Sequence, residues 1–159
     1  MINLDEEVDR LKNYLDLEKM RLTDKFEYRI VMDDDVEADE IFIPSMIIQP
    51  FAENSIWHGI TPLEEKGMII ISFHKESEAS LKIIVEDNGI GMKQTEGFSV
   101  STEKHLHLGM EMTRKRLNLL GEKYDVKTSI VYSEPFPGHQ NPGTRVALVV
   151  PFTYMEVEG

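Results

Sequence analysis

The stretch from Val85 to Met92 limits the folds open to this chain more than any other part of the sequence. It begins as the end of an apolar run, Leu81–Val85, whose β-branched residues and rough alternation predict a strand. The run stops at the sequence Asp-Asn-Gly-Ile-Gly of residues 87–91, in which two glycines permit positive φ and close approach of a ligand to the backbone. This pattern fits an ordinary turn. It also fits a binding loop in which Asp87, fixed at the end of a buried strand, accepts a hydrogen bond from an amino group.

The composition indicates one globular domain and excludes several kinds of site. A chain of 159 residues is long enough to bury about two-thirds of its unfolded surface. The net charge of −12 argues against a nucleic-acid or anionic-membrane surface, so we expect no nucleic-acid partner. The absence of cysteine excludes disulfides and thiolate metal sites, as is common in the cytosol. We find neither a signal peptide nor an apolar run long enough to span a membrane.

A first helix is predicted from residue 3 to about residue 22. Asn3 is a favourable N-cap and Glu6 lies three residues further on, as in a capping box. Spacings of three, four and seven residues place five apolar side chains on one stripe: Leu4, Val8, Leu11, Leu15 and Leu22. This stripe fits a helix docked on its own domain. Its near-heptad spacing also fits a helix that continues an upstream helix or pairs with a partner.

A second predicted helix, from Met46 to Ile60, combines an apolar surface with a cluster of polar residues. Pro44 suits the start of this helix, Pro50 is expected to bend it, and Gly59 is expected to stop it. Polar side chains on a mostly apolar helix cost stability unless they are satisfied. This helix carries Gln49, Glu53, Asn54 and His58. A single such residue is typical of a satisfied polar group in the core, and three within six residues fit a functional site equally well.

The rest of the chain is predicted as strands and one further helix. We expect strands at residues 26–32, 41–43, 68–73, 81–85, 126–133 and 146–152. Residues 93–107 show no periodicity, which in a compact domain is typical of a functional or disordered segment. Gly109 is expected to open the third helix, which runs to about Leu120, and Gly121 to end it. Gly143 and Thr144 lead into the last strand.

Four of these signals stand in an order that resembles a known family. They are Glu53 to Gly59 on a helix, Asp87 to Gly91 after a strand, Leu108 to Met110 at a helix start, and Gly143-Thr144 before a strand. This order is similar to the N box and the three glycine boxes of GHKL (Bergerat-fold) ATP-binding domains. The preceding residues, Leu11 to Leu15, Ile43-Pro44 and Gln49 to Asn54, resemble more closely the catalytic domain of LytS-like sensor histidine kinases. The resemblance implies an α+β two-layer sandwich, a mixed β-sheet covered on one face by helices.

The resemblance assigns one group of residues to the base of ATP. It implies that Asp87 accepts a hydrogen bond from the adenine amino group. Gly89 and Gly91 would let the backbone of the lid, which the resemblance places at residues 93–107, close over the base. Thr144 would form a hydrogen bond near Asp87 and help to hold the adenine end.

A second group is assigned to the phosphates and to catalysis. Asn54 would ligate Mg²⁺ through its side-chain oxygen, a hard ligand suited to that ion. Glu53 would orient or deprotonate the attacking group as a general base, with His58 in a supporting role. The backbone amides of Leu108, Gly109 and Met110 would cradle phosphates at a helix N-terminus. The implied cofactors are ATP and Mg²⁺.

The sequence departs from the wider kinase pattern at two positions. Trp57 stands where many relatives have Lys or Arg, and His107 replaces the first glycine expected before the third helix. The residues that could supply the missing positive charge are Lys104, His105, His107 and Arg114. These departures bear on nucleotide affinity and lid closure more than on the fold.

The resemblance predicts the catalytic part of a two-component sensor histidine kinase, which transfers the γ-phosphate of ATP to a histidine outside this chain. Residues 1–24 would form a helix leading to an upstream dimerisation and phosphoacceptor region, and residues 25–159 the ATP-binding catalytic domain. Because the first histidine of the chain is His58, we expect no autophosphorylation by this fragment alone. The expected partners are the phosphoacceptor helices of a homodimeric parent and a response regulator. We expect a cytoplasmic domain of a parent anchored in the inner membrane.

Two alternative functions fit parts of the same pattern. An anti-sigma-factor-type serine kinase shares the fold and fits the length, but Glu53 directly before Asn54 and the leading helix favour a sensor kinase. A non-catalytic, nucleotide-regulated interaction module would retain the fold without the chemistry. Trp57 and His107 favour such a module, whereas the intact Glu53, Asn54 and Asp87 argue against it.

Overall fold

The computed structural model describes residues 1–92 and 100–154, and of residues 100–109 it describes the backbone alone. The strands, in chain order, are β1 (Ile2–Asn3), β2 (Phe26–Met32), β3 (Phe42–Ile43), β4 (Gly67–Lys75), β5 (Ser80–Asp87), β6 (Ser129–Ser133) and β7 (Thr144–Pro151). Five of them form one sheet in the order β2-β4-β5-β7-β6, and β1 pairs with β3 in a small second sheet. β2 and β4 are parallel whereas the other neighbours in the large sheet are antiparallel, so this sheet is mixed.

Three helices lie among the described residues. They are α1 (Leu4–Arg21), α2 (Gln49–Asn54) and α3 (Val100–Tyr124). α2 continues directly into a π-helical segment, Ser55–Ile60. The side chain of Asn3 caps α1 by accepting a hydrogen bond from the amide of Asp5, as the sequence predicted. No helix in the described part of the chain is long and apolar enough to cross a membrane.

The helices cover one face of the large sheet. Alternate residues of β4 are buried against them, namely Ile69, Ile71 and Phe73, whereas Ile70, Ser72 and His74 lie on the opposite, partly exposed face. The apolar stripe of α1 is part of the same core, and Leu4 and Leu15 are fully buried. α1 is therefore docked on its own domain. The two-layer α+β sandwich expected from the sequence is confirmed.

The second helix differs from its predicted form because it begins at Gln49, with Pro50 rather than Pro44 in its first turn. The segment before it turns instead, and Met46 has a positive φ of 59°. Proline is tolerated in the first helical turn, where its missing N–H has no partner to lose. Gly59 does not stop the helix but lies within the π-helical segment, which ends at Ile60.

The third helix is longer than predicted. It begins at Val100 and ends at Tyr124, so neither Gly109 opens it nor Gly121 ends it. Residues 93–99 of the segment expected to lack regular structure lie outside the described residues, and residues 100–107 are helical. β6 starts at Ser129 rather than Val126, after a turn in which Asp125 has a φ of 51°.

Candidate functional site

Asp87 is the last residue of the central strand β5 and points into the helix-covered side of the sheet. Its side chain is only 2 % exposed. Its Oδ1 accepts a hydrogen bond of 2.8 Å from the amide of Gly89, which closes the turn predicted after the strand. The neighbouring Asn88 has a structural contact, since its Oδ1 accepts from the amide of Met68 at 2.8 Å and ties the turn to β4.

The other carboxyl oxygen of Asp87 is buried and has no hydrogen-bond partner among the described residues. Burial raises the pKa of Asp87 above its usual value, and the amide of Gly89, the hydroxyl of Ser55 and the amide of Thr144 partly offset this by favouring the charged form. Neither Ser55 nor Thr144 reaches hydrogen-bonding geometry at Oδ2. A buried acceptor without a donor costs free energy comparable to a lost hydrogen bond. This oxygen is therefore suited to a donor supplied by a ligand.

Three glycines bring separate segments into close contact around Asp87. The carbonyl of Gly59 accepts from the amide of Ile90 at 3.0 Å, and the carbonyl of Gly89 accepts from the amide of Gly143, also at 3.0 Å. A Cβ at Gly59 would lie 2.9 Å from Oδ1 of Asp87, and a Cβ at Gly89 would lie 2.3 Å from backbone atoms of Gly59. Glycine is thus required at residue 59 by the side chain of Asp87 and at residue 89 by the backbone of Gly59.

Thr144 and Gly91 flank this contact. Thr144 is 7 % exposed and is the residue of β7 paired with Asp87 across the sheet. Gly91 has a φ of 85°, a conformation that favours glycine. The structure therefore brings together Asp87, Gly89 and Thr144, three of the residues that the sequence assigned to the adenine end, and places Gly91 two residues beyond Gly89.

The polar residues of the second helix lie at different depths. Glu53 is exposed, and its Oε1 accepts a hydrogen bond of 3.1 Å from the side chain of Gln49. Asn54 is half-buried. His58, in the π-helical segment, is only 6 % exposed. π-helical segments are rare and occur frequently at functional sites.

Comparison with known proteins gives relatives in sequence, although no family model matches the chain. Over 151 residues, 94 % of the chain, it is 31 % identical to the sensor histidine kinase YpdA of Escherichia coli. Over 152 residues, 95 % of the chain, it is 28 % identical to the sensor histidine kinase YesM of Bacillus subtilis. The chain spans 24 % of the length of each. A 93-residue part of it is 33 % identical to the sensor histidine kinase/phosphatase LytS of Staphylococcus aureus, covering 58 % of the chain and 16 % of LytS.

Solved structures give the same result for the fold. The catalytic domain of the histidine kinase ThkA superposes with a TM-score of 0.59 at 14 % identity, covering 94 % of both chains. Full-length ShkA superposes with a TM-score of 0.60 at 15 % identity, covering 92 % of this chain and 30 % of ShkA. The chain is related to sensor histidine kinases and has the fold of their catalytic domains. The resemblance to LytS-like kinases inferred from the sequence is confirmed.

One part of the histidine-kinase pattern is placed differently from the prediction. Leu108, Gly109 and Met110 lie inside α3 and not at its N-terminus. Because amides within an α-helix donate to carbonyls four residues earlier, these three are not presented to a phosphate in this structure. The half-buried Met110 instead packs against the core, where its sulfur accepts from the hydroxyl of Tyr132 at 3.6 Å.

Four side chains were expected to supply the positive charge that is missing at Trp57, and the structure describes one of them. Arg114 is exposed on α3. The side chains of Lys104, His105 and His107 lie outside the described atoms. Among the described residues, no group of three or more His, Asp or Glu side chains is arranged to hold a metal ion. A metal at Asn54 would therefore need oxygen ligands from outside the described part of the chain, such as phosphates.

Two residues beside Asp87 were not assigned to the site from the sequence. Ser55 is 5 % exposed and faces Asp87, and Gly59 packs directly against the same carboxyl group. Both belong to the π-helical segment, whose pitch no α-helical wheel reproduces. The available signal was a serine and a glycine within an otherwise apolar helix beside Asn54 and His58.

Proposed function

We propose that this chain binds Mg²⁺–ATP as the catalytic domain of a sensor histidine kinase and transfers the γ-phosphate to a histidine outside the chain. One observation carries the proposal: Oδ2 of Asp87 is a buried acceptor, without a partner in the described part of the chain, at the end of the central strand. The exocyclic amine of adenine is a donor of the right kind. The ionised carboxylate would accept this hydrogen bond, which makes it one of the stronger kind.

Solved relatives support the proposed ligand and partner. ShkA, whose fold this chain shares, was solved in complex with AMPPNP, and ThkA was solved in complex with the response regulator protein TrrA. The sequence relatives YesM and YpdA are sensor histidine kinases. None of these comparisons favours an anti-sigma-factor-type serine kinase or a non-catalytic module.

The second helix offers residues for the phosphate end. The side-chain oxygen of the half-buried Asn54 is a ligand suited to Mg²⁺. Bound Mg²⁺ would neutralise phosphate charge, which a chain of net charge −12 does not do through its overall field. The exposed carboxylate of Glu53 can accept a proton from an incoming imidazole, and the hydrogen bond from Gln49 orients it for that purpose. We assign a supporting role to the buried His58 beside them.

The longer parent protein is part of the proposal. We propose that residues 1–24, centred on α1, lead to the phosphoacceptor helices of a homodimeric parent, and that residues 25–159 are the catalytic domain. A membrane anchor would belong to the rest of that parent. A response regulator would then receive the phosphoryl group. The isolated chain is expected to bind nucleotide without labelling itself from radioactive ATP.

The adenine assignment is tested by titrating Mg²⁺–ATP by calorimetry against the native chain and Asp87→Asn. Losing a hydrogen bond to a charged group costs about 1.5–3 kcal/mol, so affinity should fall roughly tenfold to over a hundredfold. Glu86→Gln is the matched control, because it removes one charge from the adjacent residue, which faces Arg145 at 3.8 Å. It should leave affinity within about threefold. No binding by the folded native chain, or an equal loss in both variants, would refute the assignment.

A further inference from the structure

The end of α1 contacts the π-helical segment through one cation–π pair. The guanidinium carbon of Arg21 lies 4.9 Å from the centroid of the Trp57 ring, within the range of this interaction. The half-buried Trp57 packs against the hydrophobic core. It follows Glu53 by four residues and Asn54 by three. This contact joins the C-terminal end of α1 to the helix that carries the proposed phosphate-end residues.

Arg21 projects from a helix whose end is held in place. Its Nη1 lies 3.4 Å from Oε1 of Glu18, a residue only 9 % exposed. On another side, α1 is fastened to β2, because the hydroxyl of Tyr28 donates to Asp16 at 2.7 Å and Lys19 pairs with Glu27 at 2.6 Å. These contacts hold α1 on the sheet, while Glu18 and Trp57 position the guanidinium group of a side chain that is 65 % exposed.

Trp57 lies in the π-helical segment, Ser55–Ile60, which packs beside Asp87. Its carbonyl accepts a hydrogen bond of 2.7 Å from the hydroxyl of Thr61, so its backbone is held at the helix end while Arg21 covers its ring. Two residues later, Gly59 packs against Asp87 and bonds through its carbonyl to Ile90. A π-helical turn is rare and less regular than an α-helix, so its persistence depends on contacts of this kind.

A second interaction relates the same side of α1 to Glu53. Burial raises the pKa of Tyr14, and the negative charges of Glu53 and Glu18 raise it further. Tyr14 is seven residues before Arg21, so the two lie on one side of α1. α1 therefore faces the second helix at two levels, at Glu53 and at Trp57.

We propose that Arg21 is a positioning residue for the nucleotide site. By stacking on Trp57 it holds the π-helical segment in the register that places Gly59 against Asp87 and fixes the direction of Glu53 and Asn54. Its effect on ATP rests on the proposed function, whereas its effect on the segment itself does not. Movement of α1 relative to the sheet would loosen the site through this contact.

The first test measures amide hydrogen exchange of residues 55–60 in the nucleotide-free protein. Arg21→Ala should speed exchange there about two- to fivefold, which corresponds to about 0.5–1 kcal/mol. Lys12→Ala, which removes the same charge from an exposed position of α1, should leave exchange unchanged. Arg21→Lys, which keeps the charge but loses the planar group, should fall between the two. Unchanged exchange in Arg21→Ala would overturn the proposal, whether or not the chain binds ATP.

The second test asks whether Arg21 acts through Trp57. Trp57→Leu alone should also speed exchange in residues 55–60. In the Trp57→Leu background, Arg21→Ala should add nothing, because the pair is already broken. Additive effects of the two substitutions would show that Arg21 acts elsewhere, and would contradict the proposal. In calorimetric titrations of Mg²⁺–ATP the same pattern should appear as a two- to fivefold weaker affinity in each single variant and no further loss in the double variant.

Discussion

Glu7 and Asp87 are both buried carboxyl groups, but the protein surrounds them differently. Glu7 on α1 is 3 % exposed and Asp87 at the end of β5 is 2 % exposed, and burial raises the pKa of each. The amide of Met46 lies 3.4 Å from both oxygens of Glu7, and Arg10 and Arg116 face the same group. Asp87 has a donor for one oxygen and, among the described residues, none for the other.

The difference separates a structural carboxyl group from one suited to a ligand. Glu7 on α1 fixes the turn before α2, in which Met46 has a positive φ. Its carboxyl group also faces Arg116 of α3. Its surroundings are complete without a ligand. Asp87 retains a buried acceptor that no described residue satisfies, and proteins keep such costly groups where a function needs them. Burial alone does not distinguish the two groups, whereas their hydrogen-bond partners do.

The largest expected effect on stability is that of Glu7→Ala. This change leaves the amide of Met46 without its acceptor and removes the charge that Arg10 and Arg116 face, so the free energy of unfolding should fall by about 1–3 kcal/mol. Glu7→Gln, which keeps an oxygen for Met46, should cost less. Urea denaturation monitored by circular dichroism measures both. If Glu7→Ala weakened Mg²⁺–ATP binding in the folded protein as much as Asp87→Asn does, the contrast between the two carboxyl groups would fail.

Asp87→Asn should have the opposite sign, stabilising the nucleotide-free protein at neutral pH. The folded-state pKa of Asp87 is raised, so the charged carboxylate disfavours folding above that pKa, and the cost disappears as pH falls toward the unfolded value of about 3.9. The amide of Asn removes this cost and keeps an oxygen for Gly89. We expect a gain on the order of 0.5–2 kcal/mol at pH 7.

The pH dependence of that gain supplies its own control. The advantage of Asp87→Asn over the native chain should be largest at neutral pH and should shrink as the native Asp87 takes up a proton. Thermal unfolding between pH 7 and pH 4 measures the difference. A destabilised Asn variant at pH 7, or an advantage that grows in acid, would show that the buried carboxylate is satisfied within the protein.

The role of Asp87 in this contrast could be predicted from the sequence, whereas that of Glu7 could not. An acidic residue at the end of an apolar strand, followed by two glycines, indicated the turn and its ligand-binding possibility. Glu7 was indistinguishable from Asp5 and Glu6 in the acidic first turn of α1, because its burial depends on Met46 and Arg116, far away in the chain. The sheet and the amphipathic stripe of α1 followed from periodicity, which is a local property.

The errors in the prediction share a different cause. Glycine and proline were treated as helix boundaries, yet Gly59, Gly109 and Gly121 all lie within helical segments. At Gly59 the reason is tertiary, since a Cβ would lie 2.9 Å from Asp87. At Gly121 it is the turn that follows α3, where a Cβ would lie 2.8 Å from the carbonyl oxygen of Val126, whose amide donates to the carbonyl of Gly121 at 2.9 Å. A glycine required by close packing and one required by a helix end are identical in the sequence. A similar ambiguity hid Ser55, since a buried serine of the core and one that faces a carboxyl group are alike in the sequence.

Ser55→Ala gives the smallest expected effect and tests the surroundings of Asp87 most directly. The Ser55 hydroxyl favours the charged carboxyl group, so its loss should raise the pKa of Asp87 further. Because the ionised form accepts the hydrogen bond of adenine, ATP affinity is lost as pH falls through that pKa, and the variant should lose it at a higher pH. Well below the folded-state pKa of Asp87 the variant should bind roughly two- to tenfold more weakly than the native chain, or about 0.5–1.5 kcal/mol, and the two affinities should converge at higher pH.

Ser80→Ala is the matched control, because Ser80 in β5 is likewise a buried serine, 4 % exposed, and its hydroxyl lies 2.6 Å from that of Ser77. It should lower stability without moving the pH profile of binding. Calorimetric titrations at several pH values compare the two variants. If the pH profile of binding shifts in Ser55→Ala alone, the carboxyl group of Asp87 is the group that makes ATP affinity depend on pH. Equal profiles in both variants would mean that Asp87 is not the group whose ionisation governs binding, and the division between a structural Glu7 and a ligand-binding Asp87 would have to be abandoned.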